Sequence, residues 1–254
     1  MKSRFLYHAQ AVAATGNITL PVQETMEIQG SVALPIHGGH GISKVEQFRH
    51  RNFFSFHHAE SQVVGSHSEK DQAHGTLSMT VIERLNILDV VTCERVVARL
   101  TTKHPNDGSE PNFIALGSRF EGLRIGGHEI KVELATDFFS EYSNWSALTR
   151  DHAANKKVRD TLAAMSLFQR EDRGFPESKG TLGCTMARIP ENLPGGLTRQ
   201  GHGIHVPHFG TVYLAEFFIT PTSRRLSMLH VELGCSVEGS YSIGGADGNG
   251  STWP

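Results

Sequence analysis

The feature that most constrains the fold of this chain is the alternation of apolar and polar residues along short runs of residues 1–135. Between Thr76 and Val81, for example, Leu77, Met79 and Val81 alternate with hydroxyl-bearing residues. Successive side chains of a β-strand point to opposite faces, so this period of two predicts a strand with one buried and one solvated face. Further strands are expected at 5–13, 25–34 and 53–64.

Two segments indicate how strands are arranged. The run Ser118 to Ile125, the pair Gly126-Gly127 and the run His128 to Leu134 predict a β-hairpin, because two glycines can both adopt the positive φ of a tight turn. Thr211 to Thr220 is apolar in both phases of the alternation, which predicts a central strand covered on both faces. One phase contains Val212, Leu214 and Phe218, and the other contains Tyr213, Phe217 and Ile219.

From Asp137 to Phe168 the apolar spacing changes to three and four, which predicts a helical insertion of two helices with Asp137 as N-cap. Residues 169–200 are rich in proline and glycine and are expected to form a long excursion, an extended arm or lid. Within the glycine-rich tail that begins at Gly244, the segment Asp247 to Ser251 is expected to form a mobile turn. The whole chain, residues 1–254, is therefore predicted to be one mainly β domain, an antiparallel β-sandwich or barrel with these two additions.

Charge and cysteine content exclude several classes of protein. The formal net charge is −2 over 254 residues, so neither a nucleic acid nor a membrane is expected as a partner. No run of residues approaches the length of an apolar transmembrane helix. Three scattered cysteines form no disulfide framework, which favours a reducing, cytoplasmic location.

The histidines are the main candidates for chemistry, because the chain contains 15 of them and imidazole binds metals and transfers protons near neutral pH. His202, His205 and His208, joined by His37 and His40, are the candidate ligands of a divalent transition metal such as zinc. Intervals of three place strand residues on alternate faces, so this site requires an irregular backbone. The alternative is that these histidines are turn, interface and surface residues.

Two weaker candidates remain. His58 and Glu60 share one face of a predicted strand and could act as base and orienting acid, whereas the adjacent His57 points to the other face. Cys184 could be a nucleophile if a histidine lay beside it, although an unpaired cysteine is more often a small buried residue. The sequence lacks the phosphate-binding loop, the dinucleotide-binding glycine motif, the nucleophile elbow and the helical zinc-protease motif.

Three segments carry a resemblance to other proteins. They are Val81 to Thr92, the hairpin that begins at Gly117, and Val206 to Glu216. In these segments the chain resembles an uncharacterised, β-rich family of bacterial proteins with no assigned activity. The resemblance implies no catalytic or binding residue.

The sequence therefore leads to two hypotheses about function. The first is a noncatalytic binding or structural module, without a cofactor, that self-associates into a homo-oligomer. A small-molecule ligand is compatible with this hypothesis. The alternative is a metal-dependent enzyme whose histidine-rich site lies near residues 202–208.

Overall fold

The computed structural model of the protein describes residues 4–167, 180–234 and 236–253. The described strands are, in chain order, β1 (Arg4–Leu20), β2 (Glu24–Gln29), β3 (Val32–Ala33), β4 (Gly39–His50), β5 (Phe54–Ser68), β6 (Ala73–Ile87), β7 (Val91–Pro105), β8 (Asn112–Ile114), β9 (Arg119–Glu121), β10 (Arg124–Ile125), β11 (His128–Glu129), β12 (Glu133–Leu134), β13 (Leu182–Thr185), β14 (Ala187–Arg188), β15 (Thr198–Gln200), β16 (Gly203–Val206), β17 (Gly210–Ile219), β18 (Arg224–Gly234) and β19 (Glu238–Trp253). The described helices are α1 (Thr136–Glu141), α2 (Trp145–Ala154) and α3 (Lys156–Met165). The prediction of a mainly β, antiparallel fold is confirmed.

Two large sheets form the layers of the molecule. The first sheet has the order β15-β16-β17-β18-β19-β1-β2, with β13 beside β17 and β3 beside β1. The second sheet has the order β11-β10-β7-β6-β5-β4, with β8 and β9 beside β7. Because β1 packs across β5 and β6, and β19 packs across β6 and β7, the apolar core lies between the two sheets. The sheets do not close on themselves, so the layout is that of a β-sandwich rather than a barrel.

The long strands of the first sheet each contain one point where the alternation of side chains shifts by one residue. In β17 the shift lies at Ala215, with a φ of 49°, and in β19 it lies at Gly244, with a φ of 68°. The hydrogen-bonded register continues unchanged past these residues, so the shifts of neighbouring strands form one line across the sheet. At this line buried residues on either side of the shift are three apart, and one further buried residue lies between them: Leu214, Ala215 and Phe217 in β17, Leu226, Met228 and Leu229 in β18, and Ile243, Gly244 and Ala246 in β19.

The shift at Ala215 explains why Thr211 to Thr220 is apolar in both phases. Val212 and Leu214 precede the shift, Phe217 and Ile219 follow it, and all four are buried. The strand is central, between β18 on one side and β16 and β13 on the other, as expected. The expected cover on both faces is wrong, because the outward residues of β17 are only half-buried.

The second sheet contains a matching line of shifts. Gln47 in β4 and Arg84 in β6 both have a φ of 52°. Again the buried residues on either side are three apart: Phe56 and Ala59 in β5, Ile82 and Leu85 in β6, and Cys93 and Val96 in β7. In the strands of both sheets, a period-two pattern in the sequence therefore predicts the buried face correctly only as far as the shift.

The strand at Thr76 to Val81 is present within β6, but its buried face is the polar one. Thr76, Ser78 and Thr80 are buried, whereas the apolar residues between them are half-buried. Two of the three hydroxyl groups have partners: Thr76 Oγ1 lies 2.6 Å from Thr102 Oγ1, and Thr80 Oγ1 donates to the carbonyl oxygen of Gly245 at 3.0 Å. Ser78 Oγ has no hydrogen-bond partner among the described residues. Hydrogen bonds within the second sheet and across the sandwich thus accompany an orientation opposite to the one that hydrophobicity alone predicts.

The helical insertion is confirmed, as three helices rather than two. Asn144 and Asn155 each begin a new helix, because their side chains accept hydrogen bonds from the backbone N–H groups of Ala147 and Lys157. The N-cap of α1 is Ala135, so Asp137 lies in the first turn instead of capping the helix. Among the described residues, no helix has the length and apolar character needed to cross a membrane.

The predicted glycine turn is present at Gly126 and Gly127, which have φ values of 58° and 80° and join β10 to β11. The strands around it are shorter than expected. Of the excursion at 169–200, residues 168–179 lie outside the described part of the chain, and residues 182–200 contribute β13, β14 and β15. The tail predicted as a turn is instead the long strand β19, in which Gly248 and Gly250 leave room for Thr102 and Phe5 from the neighbouring strands.

Candidate functional site

The outer face of the first sheet carries a group of titratable side chains from neighbouring strands. Its centre is Glu216, whose Oε2 lies 3.2 Å from His230 Nδ1 and whose Oε1 lies 3.7 Å from His202 Nε2. Beside it, the Tyr213 hydroxyl donates a hydrogen bond to Glu232 Oε2 at 3.0 Å. We refer to these five residues as the Glu216 cluster.

Local structure explains why these residues meet. Tyr213 and His230 are directly opposite each other in the pairing of β17 and β18, and they lie between buried neighbours that face the core. Glu216, three residues after Tyr213, would face inward in a regular strand. The shift at Ala215 turns Glu216 outward, onto the same face as Tyr213. His202 approaches from the turn between β15 and β16.

The environment of Glu216 favours its charged form. Burial raises the pKa of its carboxyl, but hydrogen bonds from His202 and His230 and their charge outweigh this effect and lower the pKa to about 2. The hydrogen bond to Glu216 raises the pKa of His230, against the opposing effect of burial. Glu216 therefore orients His230 through Nδ1, as a carboxylate does in acid–base sites, and leaves Nε2 of the imidazole for another contact.

A depression of about 280 Å³ adjoins the cluster at His230. Below it, Gly16 makes room for the fully buried Tyr241 ring, because a Cβ atom at Gly16 would lie 2.3 Å from that ring. Most of its lining residues carry a hydroxyl or amide group, although the surface that they expose to it is mainly apolar. The depression is lined by Thr15, Gly16, Asn17, Thr25, His230, Ser240, Tyr241 and Ser242.

The residues predicted as metal ligands are divided between the two sheets. His202 belongs to the Glu216 cluster, His205 lies within β16, and His208 follows it in a turn with a φ of 59°. His37 lies in the turn before β4, and His40 lies within β4, where its Nε2 is 3.1 Å from Gln62 Nε2. Since β16 and β4 stand toward opposite edges of the sandwich, the structure does not bring the two groups together.

No group of three or more His, Cys, Asp or Glu side chains suited to a metal ion is found in the described part of the chain. Of the weaker candidates, Glu60 pairs with Lys44 at 2.8 Å, and His58 Nδ1 lies 4.0 Å from Glu46. Cys184 is fully buried in the core, and burial raises the pKa of its thiol far above its usual range. The ion-pair contacts of Glu60 and His58 and the burial of Cys184 are those of structural residues.

A second set of imidazoles was not apparent from sequence spacing. His67, His74 and His104 are directly opposite one another on β5, β6 and β7 and therefore share the inner face of the second sheet. His74 Nδ1 lies 2.7 Å from the Tyr7 hydroxyl, whereas Nε2 of the buried His104 has no hydrogen-bond partner among the described residues. Only the register of the strands could have revealed this row.

Comparison with known proteins gives one match. A family model with the description "Domain of unknown function (DUF8256)" matches residues 5–220. No curated protein matches the chain, and no solved structure does.

Proposed function

Because the chain belongs to the family described as a domain of unknown function (DUF8256), which has no assigned activity, we propose a function from the geometry of the site. The resemblance to an uncharacterised family is thereby confirmed. We propose that the protein is a noncatalytic binding module that holds a small, uncharged, hydroxyl-bearing molecule in the depression beside the Glu216 cluster. One observation carries the proposal: the imidazole of His230, oriented by the carboxylate of Glu216, borders a depression lined mostly by residues that bear hydroxyl or amide groups.

The chemistry of the walls defines the class of ligand. A hydroxyl group both donates and accepts hydrogen bonds, so a polyhydroxylated ligand can form hydrogen bonds with the threonine, serine, asparagine and histidine side chains that line the depression. No lysine or arginine is among the lining residues, which disfavours an anionic ligand. The volume of about 280 Å³ suits a molecule of monosaccharide size.

His230 provides the directional contact. Its Nδ1 is held by Glu216, so the orientation of the ring is set before a ligand arrives. A preoriented group loses little rotational freedom on binding, which favours affinity. The Tyr213 ring, whose centroid lies 5.2 Å from that of His230, extends the surface toward β16 with a flat aromatic face.

The hydroxyl closest in register to His230 already has a partner. Ser242 is directly opposite His230 in the pairing of β18 and β19, and its Oγ lies 3.1 Å from Ser227 Oγ. A serine nucleophile needs its base within hydrogen-bond reach, and among the described residues no hydrogen bond joins His230 Nε2 to a serine hydroxyl. The arrangement therefore favours recognition over acyl transfer.

A binding experiment tests the proposal. Titration with glucose, galactose, mannose and N-acetylglucosamine, followed by ¹H–¹⁵N NMR, is expected to shift backbone signals of β1, β18 and β19 with a dissociation constant of ~1 mM for at least one sugar. Replacing His230 with alanine is expected to weaken binding at least tenfold. Glucose 6-phosphate should bind more weakly than glucose, because no lysine or arginine lines the depression and the charge of His230 is already paired with Glu216.

The matched control is His57→Ala, which removes an exposed imidazole from the second sheet and should leave binding unchanged. Absence of shifts with all four sugars at 50-fold higher concentration (~50 mM) would rule out this class of ligand. Shifts that persist in His230→Ala would place the site elsewhere. Self-association, the other part of the hypothesis drawn from the sequence, concerns a different surface.

A further inference from the structure

The edge of the second sheet at β4 is open. β4 has 12 residues and pairs only with β5, whereas the other terminal strands, β2, β11 and β15, have 6, 2 and 3 residues. Within the described ranges, the backbone groups on the outer side of Gly39 to Arg49 have no backbone partner in another element. A long, unpaired edge strand is a template for pairing with another strand.

Exposed apolar side chains lie in β4 and in the turn before it. Seven large apolar side chains of the described residues are exposed, and two of them, Ile36 and Ile42, lie in the turn before β4 and within β4. Ile36 is 59% exposed and Ile42 is 46% exposed. Scattered apolar residues need no explanation, but exposed isoleucines beside a long open strand edge are typical of an interaction surface.

We propose that β4 pairs antiparallel with β4 of a second copy of this chain and thereby joins two second sheets into one continuous sheet. The regular part of β4 runs from Gly39 to the shift at Gln47, so its midpoint is Ser43. A two-fold axis at Ser43 uses this whole segment. It also keeps residues of the same face opposite each other, as an antiparallel pair requires.

The charge pattern agrees with this register. With the two-fold axis at Ser43, His40 lies opposite Glu46 of the second copy, and Ile42 lies opposite Lys44 of the second copy. Glu46 has a side-chain exposure of 78% and only a long contact, 4.0 Å, with His58, so its carboxylate can also meet an imidazole across the interface. The methylene groups of Lys44 can cover the exposed Ile42, while its amino group keeps the contact with Glu60 on its own sheet. Shifting the axis by one residue, to Ile42, would instead place His40 opposite Lys44.

Charge exchange tests the register. Wild-type protein is expected to be a dimer at ~50 µM by light scattering coupled to gel filtration. Glu46→Lys, which puts a lysine opposite His40, and His40→Glu, which puts two glutamates opposite each other, should each weaken the dimer at least tenfold. The double variant, which restores opposite charges, should regain it. Glu191→Lys makes the same charge change in an exposed loop away from β4 and should not affect the dimer.

Backbone amide exchange distinguishes this edge from other surfaces. Amides of β4 should be more protected at dimeric than at monomeric concentrations of the wild-type protein. A monomer at all concentrations up to ~200 µM would overturn the proposal. So would a dimer that both single variants leave intact, because its interface would lie elsewhere. A double variant that remains monomeric would overturn the register.

Discussion

Replacing Arg224 with alanine is expected to lower the free energy of unfolding by about 4 kcal/mol, the size of effect seen when a large, hydrogen-bonded core side chain is removed. Arg224 is 2% exposed. Its Nη1 donates hydrogen bonds to the carbonyl oxygens of Thr220 and Ser223, and its guanidinium carbon lies 4.6 Å from the centre of the Phe113 ring. Truncation would remove these contacts and leave a cavity between β18 and the strand that holds Phe113.

The matched variant is Arg224→Met, which keeps most of the volume and removes the charge. Burial already disfavours the charged form and lowers the pKa of Arg224 to about 10, and Nη2 has no hydrogen-bond partner among the described residues. Methionine therefore removes an expensive buried charge together with its hydrogen bonds, and the loss should be less than about 2 kcal/mol. Urea denaturation followed by circular dichroism measures both values. A loss below about 1 kcal/mol for Arg224→Ala would contradict the packing role assigned here.

Acidification from pH 7 to pH 4.5 is expected to remove about 2.5 kcal/mol of stability through His104. Burial, with a smaller contribution from the charge of His74, lowers the pKa of this imidazole from 6.5 to about 4. The folded state therefore binds the proton more weakly than the unfolded state does. Stability from this group is complete above pH 6.5 and is lost as the pH falls toward 4.

Urea denaturation at a series of pH values measures this dependence. His104→Phe keeps an aromatic ring beside Phe5 and Phe113 but cannot be protonated, so its stability should fall less steeply over this range. The remaining dependence of stability on pH would include the contribution of His74, because burial lowers the pKa of this imidazole as well. His57→Phe is the control at an exposed position. Equal slopes for wild type and His104→Phe would show that His104 does not titrate in this range.

Below pH 4.5 a different group should dominate. The Glu216 carboxyl has a folded pKa of about 2 against an ordinary value of 4.5, so its contribution is present above pH 4.5 and is lost as the pH falls toward 2. The contribution of His230 has the opposite sign, because its raised pKa stabilises the folded state at low pH and is lost as the pH rises through the folded value. The ion pair between them is therefore complete only between these two limits.

The candidate site could be predicted only in part. His202 was among the residues selected from the sequence, and the structure places it in the Glu216 cluster. Glu216 and His230 could not be selected, because they are 14 residues apart and meet only through the pairing of β17 and β18. The row of His67, His74 and His104 depends in the same way on the register of three strands.

The amino-acid sequence by itself determined the features that depend on near neighbours. Alternation gives strands, a spacing of three and four gives helices at Thr136 to Met165, and Gly126 with Gly127 gives a tight turn, because each of these reflects the conformational preferences of a few adjacent residues. Only the tertiary structure decided which face of each strand is buried. Thr76 and Thr80 face inward, where their hydroxyl groups have hydrogen-bond partners within and across the sheets, and Glu216 faces outward because the line of shifts through Ala215 crosses the first sheet. Both outcomes depend on residues far apart in the chain, whose contacts no local pattern contains.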